Sequence, residues 1–117
     1  MKFTANRDVA IGVEKRGKAR KFYEETLGLR VVETGSGLAV YDGGHLTPYI
    51  MESKHHPPVI SFTVEDLGAA KRRLHEGGCD VVNEWEGSIY FRDPSGVVFD
   101  AIQPLGVSGF SVSGSRT

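Results

Sequence analysis

The sequence predicts an α+β fold in which the element order βαβββ occurs twice. Two segments, residues 8–13 and 59–64, alternate between large β-branched or aromatic side chains and small or polar ones, as half-buried strands do. Each is followed by a segment of helical period that ends at a glycine, and then by three short apolar segments separated by glycine-containing turns. This internal repeat is the main organising feature of the chain.

The first half of the repeat begins with the strand predicted at residues 8–13. Apolar residues then follow a helical period over residues 19–27, and Gly28 provides a C-cap. Three further strands are predicted at residues 29–33, 38–42 and 48–52. The first module therefore spans residues 7–52.

The second half begins at residue 59, after a predicted linker over residues 53–58. Glu65 and Asp66 cap a helix whose Leu67, Ala70 and Leu74 share one face. Strands are predicted at residues 81–82, 88–93 and 97–103, and the last two are joined by an Asp-Pro-Ser-Gly turn at residues 93–96. The second module therefore spans residues 59–103. The Asp100 carboxylate follows this turn among apolar neighbours, which makes it the first candidate functional residue.

Composition limits the classes of function. A chain of 117 residues with 39% hydrophobic content suits one domain, here residues 1–104, followed by a Gly- and Ser-rich tail at residues 105–117. Fourteen basic and fifteen acidic residues leave no basic stripe for nucleic acid. The single cysteine, Cys79, excludes an internal disulfide and fits a reducing compartment. No apolar stretch approaches the roughly 18 residues of a membrane span, so we expect a cytoplasmic protein without a membrane partner.

Two motifs carry a resemblance to a known family. They are Phe-Tyr-Glu-Glu-Thr-Leu-Gly-Leu at residues 22–29 and Phe-Arg-Asp-Pro-Ser-Gly at residues 91–96. Together with the doubled βαβββ order, they resemble the vicinal oxygen chelate superfamily, which includes glyoxalase I, bleomycin-resistance proteins, fosfomycin-resistance enzymes and extradiol dioxygenases. The resemblance covers residues 7–103. It implies a curled mixed sheet, with the helices on its convex side and a ligand cavity on its concave side.

Strand alternation predicts which side chains would face that cavity, because successive residues of a strand point to opposite faces. If Val9, Ile11 and Val13 pack under a helix, then Asp8 and every second residue after it in the strand face the ligand cavity. The same reasoning in the other strands gives the predicted ligand-binding set: Asp8, Tyr41, Ile50, Glu52, Val59, Ser61, Tyr90, Arg92, Val98 and Asp100.

The resemblance also implies where a metal would bind. Metal-dependent members of the family take ligands from the start of the first strand and the end of the last strand of each module. The corresponding residues here are Asp8, Glu52, Val59 and Asp100. Val59 has no donor atom, so the candidate metal ligands are Glu52, Asp100 and Asp8. Three carboxylates favour Mg, Mn or Ca over Zn or Ni.

Two alternatives to this metal site remain open. Arg92 could pair with Asp8 or Asp100 in a metal-free cup. His55 and His56 could supply an imidazole in place of Val59, although the two prolines after them favour an extended, solvated linker.

Three functions follow from these residues. The first is a small-ligand binding protein of the bleomycin-resistance type, a homodimer that sequesters an antibiotic or other small compound without a metal cofactor. The second is a metal-dependent lyase, transferase or isomerase with a carboxylate-rich site and one divalent cation. The third is a structural or regulatory module whose cup is filled by its own side chains. No catalytic residue is assigned.

Overall fold

The computed structural model describes residues 2–104. In chain order the elements are β1 (Thr4–Val13), α1 (Arg16–Lys21), a π-helical turn (Phe22–Thr26), β2 (Arg30–Gly35), β3 (Leu38–Asp42), β4 (Thr47–Glu52), β5 (His56–Thr63), α2 (Leu67–Glu76), β6 (Asp80–Trp85), β7 (Ser88–Arg92) and β8 (Val98–Ile102). The predicted α+β class and the doubled βαβββ order are confirmed. The predicted tail at residues 105–117 lies outside the described residues. None of the helices in residues 2–104 has the length and apolar character that a membrane crossing needs.

The chain divides into two compact units. The N-terminal unit comprises residues 7–59, and the C-terminal unit comprises residues 2–6 together with residues 60–104. The sequence pattern did not predict that residues 2–6 belong to the second of these units. These residues belong to the C-terminal unit because of aromatic packing: the ring of Phe3 meets the rings of Phe62 and Phe91 edge-on at centroid distances of 6.3 and 6.5 Å.

The N-terminal unit has a four-stranded mixed sheet in the order β2-β3-β4-β1. β1 pairs with β4 in parallel, and the β2–β3 and β3–β4 pairs are antiparallel. The side of this sheet that packs on the helical segment is built from Ala39, Tyr41 and Ile50, against which Ile11 and Tyr23 also pack. These contacts fix which face of each strand is covered by the helix and which face is helix-free.

The C-terminal unit repeats the arrangement, with the strand order β5-β8-β7-β6 and a parallel β5–β8 pair. Its core contains Ile89, Phe91 and Ala101, with Leu67 and Leu74 of α2 packed against them. The predicted cap of α2 is confirmed in part, since the Asp66 carboxylate accepts a hydrogen bond from the Ala69 backbone N–H at 3.1 Å.

The turn between β7 and β8 is the one predicted at residues 93–96. The Asp93 carboxylate accepts hydrogen bonds from the backbone N–H groups of Ser95 at 2.8 Å and Val97 at 2.9 Å. Gly96 adopts a φ of 95°, a conformation that disfavours other residues. This turn sets the register of β8 against β7 and so determines the direction in which Asp100 points.

Several element boundaries differ from the prediction, and the starts of β1 and β5 differ in ways that bear on the candidate site. β1 begins at Thr4 rather than residue 8, because Phe3 anchors the start of the strand. β5 begins at His56 and includes Pro57 and Pro58, whose fixed φ is compatible with extended backbone at the start of a strand. The predicted linker is correspondingly shorter.

Candidate functional site

The helix-free face of the C-terminal unit carries a row of polar side chains. Ser61 of β5 pairs with Asp100 of β8, and Asp100 pairs with Tyr90 of β7. Residues paired in this way project to the same face of a sheet. We call this surface the polar face of the C-terminal unit, and its members in β5, β7 and β8 are Ser61, Thr63, Ser88, Tyr90, Arg92, Val98, Asp100 and Ile102.

The centre of the polar face is buried and its end is exposed. Asp100 is 6% exposed and Ser61 is 1% exposed. Val98 is partly buried, whereas Arg92 is exposed at the end of β7. Within the C-terminal unit, as far as residues 60–104 describe it, Arg92 forms no salt bridge with Asp100. The alternative in which Arg92 pairs with this carboxylate is therefore not found.

Asn6 belongs to the polar face, although the sequence did not single it out. Its side-chain amide donates one hydrogen bond to Ser61 Oγ and one to Thr63 Oγ1, each at 3.0 Å. Both amide hydrogens are thereby used, which turns the amide oxygen away from these two hydroxyls. Asn6 was missed because the strand containing it was predicted to begin two residues later.

Trp85 and Tyr90 form the aromatic edge of the polar face. Trp85 of β6 pairs with Ser88 of β7, two residues from Tyr90, and its ring meets that of Tyr90 edge-on at a centroid distance of 4.9 Å. Trp85 is 49% exposed. A half-exposed indole fixed against a second ring offers a flat surface on which a ligand can stack.

In the N-terminal unit, the predicted orientation of β3 and β4 is wrong by one residue. Ala10 of β1 pairs with Tyr49 of β4, and Tyr49 pairs with Val40 of β3. The helix-free face of this unit is therefore formed by Asp8, Ala10, Gly12, Leu38, Val40, Thr47, Tyr49 and Met51. Residues 48–51 are almost uninterruptedly apolar, so the strand offered no alternation from which its register could be read.

Tyr41, Ile50 and Glu52 consequently do not share a face with Asp8. Tyr41 and Ile50 are fully buried in the cluster under the helical segment. Glu52 pairs with Val13, which packs on that same cluster, and the glutamate side chain is exposed. Asp8 itself is 3% exposed on the helix-free face. The register thus removes three members from the predicted ligand-binding set.

Tyr41 has a structural role on the helix side. Its hydroxyl donates a hydrogen bond to Glu24 Oε2 at 2.7 Å, and Arg20 Nε donates to the same oxygen at 2.6 Å. The hydrogen bond from Arg20 lowers the pKa of Glu24, with a smaller contribution from the Tyr41 hydroxyl. Burial, followed by the nearby Glu24 carboxylate, raises the pKa of Tyr41. This network ties the π-helical turn to β3.

The strand registers also identify the true counterpart of Asp100. Ser61, which lies two residues after Val59, pairs with Asp100. In the other module Ala10, which lies two residues after Asp8, pairs with Tyr49. The residue equivalent to Asp100 is therefore Tyr49 rather than Glu52. The prediction equated Glu52 with Asp100 because each lies toward the end of the last strand of its module. The equivalence is instead defined by the residues with which these strands pair.

The four positions at which the family resemblance places metal ligands thus hold Asp8, Tyr49, Val59 and Asp100. They offer two carboxylates, one phenol and one side chain without a donor atom. Within residues 2–104, neither unit groups three or more His, Cys, Asp or Glu side chains so that they could hold a metal ion. This donor set does not fit the metal site of the family's metal-dependent members.

The His56 ring packs directly against the backbone of Gly12 on the helix-free side of β1. An ideal Cβ placed on Gly12 would collide with the His56 ring, at 2.6 Å from Nε2, and would lie 2.7 Å from the Lys54 carbonyl oxygen. The other ring nitrogen, Nδ1, lies 2.8 Å from the Pro57 carbonyl oxygen. The His56 imidazole, one of the two that could replace Val59, therefore lies over Gly12, and the absence of a side chain at Gly12 makes this approach possible.

Comparison with solved structures shows how widely this architecture occurs. A hypothetical protein from Bacillus halodurans C-125 superimposes with a TM-score of 0.67 at 14% identity, over 87% of this chain and 95% of that chain. Methylmalonyl-CoA epimerase from Mycobacterium tuberculosis gives 0.60 at 20% identity, over 89% and 90% of the two chains. The Mn(II)-bound glyoxalase from Novosphingobium aromaticivorans gives 0.62 at 20% identity, over 86% of this chain and 39% of that one. At these identities the likeness shows the fold alone.

A comparison with curated proteins found no significant match. The family model described as the Glyoxalase/Bleomycin resistance protein/Dioxygenase superfamily matches residues 8–101, which is most of the chain. That span includes both βαβββ modules apart from the start of β1 and the last residue of β8. The chain therefore belongs to the glyoxalase/bleomycin resistance protein/dioxygenase superfamily.

Proposed function

We propose that this protein binds a small organic ligand without a metal centre of the kind used by the metal-dependent members of its family. The observation that carries this proposal is the pair of strand registers that places Tyr49, rather than Glu52, in the position equivalent to Asp100. With Val59 also lacking a donor atom, only two of the four expected positions, Asp8 and Asp100, carry a carboxylate that could hold a metal. The polar face of the C-terminal unit supports a binding role, because it has buried polar groups beside a half-exposed indole.

The experiment is a metal analysis combined with a ligand screen. Protein purified without chelators is analysed for metals, and its thermal unfolding is followed with Mg²⁺, Mn²⁺, Ca²⁺, Zn²⁺ and Ni²⁺ added singly. We expect less than one-tenth of a metal ion per chain and no stabilisation by any ion, whereas some organic compounds of a diverse library raise Tm. One tightly held metal ion per chain that is lost in Asp100→Asn would refute the proposal.

The alternative is a metal-dependent lyase, transferase or isomerase. It is favoured by the burial of Asp8 and Asp100 and by the structural likeness to an epimerase and a Mn(II)-bound glyoxalase. Under this alternative, Asp8→Asn and Asp100→Asn would each abolish metal binding and turnover. Glu52→Gln would leave both unchanged, because Glu52 belongs to the other face of its sheet. Glu52→Gln is therefore the matched control.

We further propose that the protein is a cytoplasmic homodimer. The single cysteine, Cys79, suits a reducing compartment. Phe22 and Leu27, at the two ends of one backbone hydrogen bond in the π-helical turn, are 49% and 50% exposed, which gives the N-terminal unit apolar surface for a second copy. Sedimentation equilibrium tests this: we expect a dimer that Phe22→Lys weakens. A monomer at all concentrations would contradict it.

A further inference from the structure

The C-terminal unit has an open cleft at the end of its polar face that lies away from Arg92. Its volume is about 440 Å³, and it is lined by Lys2, Thr4, Thr63, Val64 and Glu65. This volume falls within the roughly 300–1,000 Å³ of sites that hold small organic ligands. All of the lining residues belong to the C-terminal unit, and Thr63 is also a member of the polar face. The cleft therefore provides room for a ligand at this surface.

The walls of the cleft come from two strands that the aromatic core holds in place. The rings of Phe3 and Phe62 pack against each other in the core, so their chain neighbours Thr4 and Thr63 project to the opposite face of the sheet. Asn6 joins the two strands, because its side-chain amide donates a hydrogen bond to Thr63 Oγ1 at 3.0 Å. The two threonines are thus positioned by packed strands.

The cleft carries one charge of each sign. Lys2 and Glu65 are both exposed, and within residues 2–104 no salt bridge joins them. A ligand with a single charge would be attracted by one of these groups and repelled by the other. A ligand that carries separated charges of both signs can pair with each of them. The charges of the cleft are therefore complementary to a zwitterion.

The hydroxyl groups of the cleft indicate the orientation of such a ligand. The Thr63 hydroxyl oxygen accepts the hydrogen bond from Asn6, so the hydroxyl hydrogen is directed toward a different acceptor. Thr4 brings a second hydroxyl to the cleft. A carboxylate accepts hydrogen bonds from hydroxyl groups and is attracted by the ammonium group of Lys2. The Glu65 carboxylate can only accept when it is ionised, and it suits the ammonium group of the ligand.

We propose that the cleft binds a small aliphatic zwitterion, such as a free α-amino acid with an apolar side chain. The ligand's carboxylate lies at Lys2 and the two threonine hydroxyls, its ammonium group lies at Glu65, and its apolar body lies against Val64, which is 1% exposed. This inference rests on the proposed function, since it names the ligand class and the binding position of a protein that binds without a metal. The lining residues all lie outside the predicted ligand-binding set.

The test uses L-leucine and two analogues that each lack one of its charged groups. Isocaproate keeps the carboxylate, and isoamylamine keeps the ammonium group. Binding is followed through the backbone amide signals of Thr4, Thr63 and Glu65 in two-dimensional NMR spectra of nitrogen-labelled protein. We expect L-leucine to shift these signals saturably, with a Kd about threefold or more below that of either analogue.

Two substitutions separate the roles of the charges. Glu65→Gln should weaken the binding of L-leucine and isoamylamine about threefold or more, and it should not weaken the binding of isocaproate. Lys2→Gln should weaken the binding of L-leucine and isocaproate to a similar extent, and it should not weaken the binding of isoamylamine. A purely structural role of either residue would affect all three compounds alike. Because both residues are exposed, we expect both variants to fold, and circular dichroism and thermal melts verify this.

Glu76→Gln and Lys18→Gln are the matched controls. Glu76 is exposed at the opposite end of α2 from Glu65, and Lys18 is exposed in α1 of the N-terminal unit. Each control makes the same chemical change outside the cleft. Both should leave the Kd for L-leucine within about twofold of its value in the unchanged protein, because exposed charges at a distance are screened by salt.

Several results would overturn the inference. These are equal affinity for L-leucine and either analogue, no saturable shift by L-leucine at millimolar concentrations, or effects of the controls as large as those of Glu65→Gln and Lys2→Gln. The proposed function fails by a different result, namely one metal ion per chain in the metal analysis, which involves none of these probes. Library compounds that raise Tm without shifting the signals of Thr4 and Thr63 would keep the proposed function and remove the cleft as its binding position.

Discussion

Replacing Gly12 with alanine tests whether residues 54–56, which lead into β5, pack on β1 as closely as the structure shows. The added Cβ would lie 2.6 Å from His56 Nε2 and 2.7 Å from the Lys54 carbonyl oxygen. The imidazole can rotate away, but the carbonyl belongs to the backbone and can move only if residues around Lys54 shift. Overpacking of this kind costs about 1–3 kcal/mol. The loss of glycine entropy in the unfolded chain offsets about 0.4–1 kcal/mol of that cost.

Gly17→Ala provides the matched control. Gly17 lies in α1, and a Cβ built there meets nothing within 4 Å. Both substitutions reduce the freedom of the unfolded chain similarly, so the difference between them isolates the steric cost at Gly12. We expect Gly17→Ala to raise the free energy of unfolding by about 0.5–1 kcal/mol and Gly12→Ala to lower it by about 0.5–2 kcal/mol.

Urea titration and thermal melts of the two variants measure this difference. Each kcal/mol changes Tm by about 4–8 °C in a domain of about 100 residues. Adding His56→Ala to Gly12→Ala should recover part of the loss, because the ring is removed while the Lys54 carbonyl stays in place. If Gly12→Ala and Gly17→Ala stabilise the protein equally, the close approach of His56 and Lys54 to Gly12 is wrong.

Three further predictions concern the Tyr41 hydroxyl, the carboxylates of Glu24 and Asp42, and the single cysteine. Tyr41→Phe removes a buried donor to Glu24 and should lower the free energy of unfolding by about 1–2 kcal/mol in urea titrations, whereas an unchanged midpoint would contradict the hydrogen bond. The hydrogen bond from Arg20 lowers the pKa of Glu24, and the hydrogen bond from the Gly44 backbone N–H lowers the pKa of Asp42, so the stability these carboxylates contribute is present at neutral pH. It should be lost as the pH falls below about 4 and the folded groups take up protons, and Glu24→Gln should reduce that pH dependence. Burial, with smaller contributions from the charges of Asp93 and Asp80, raises the pKa of the Cys79 thiol. The thiol should therefore react with a disulfide reagent at pH 8 several-fold more slowly in the native protein than in urea. Equal rates would show that the thiol is accessible.

Most of the C-terminal unit could be read from the sequence. The Asp-Pro-Ser-Gly turn at residues 93–96 fixed the start of β8, and clear alternation after it placed Val98, Asp100 and Ile102 on one face. The order of strands and helices followed from the spacing of apolar residues, which recur every second residue in strands and every three to four residues in helices. The glycines that end each helix marked the boundaries. These properties are local, because each depends only on residues that lie close together in the chain.

The tertiary structure decided the face of β4 and with it the identity of the candidate site. Residues 48–51 are apolar on both sides, so only the parallel pairing with β1 shows that Tyr49 lies beside Ala10 and that Ile50 is buried under the helix. A shift of one residue exchanges the two faces of a strand completely, and nothing within such a strand opposes the shift. The membership of Asn6 in the polar face had the same origin, since its contacts lie 55 and 57 residues away in the chain.

The sequence by itself therefore determined the class of fold, its repetition and the place of Asp100, because turns, caps and periodicity act over a few residues. Only the tertiary structure identified Tyr49, rather than Glu52, as the residue of the first module that is equivalent to Asp100, and only it brought His56 onto Gly12. Register between strands and contact between distant segments depend on which surfaces pack together, and that information is shared among residues far apart in the chain.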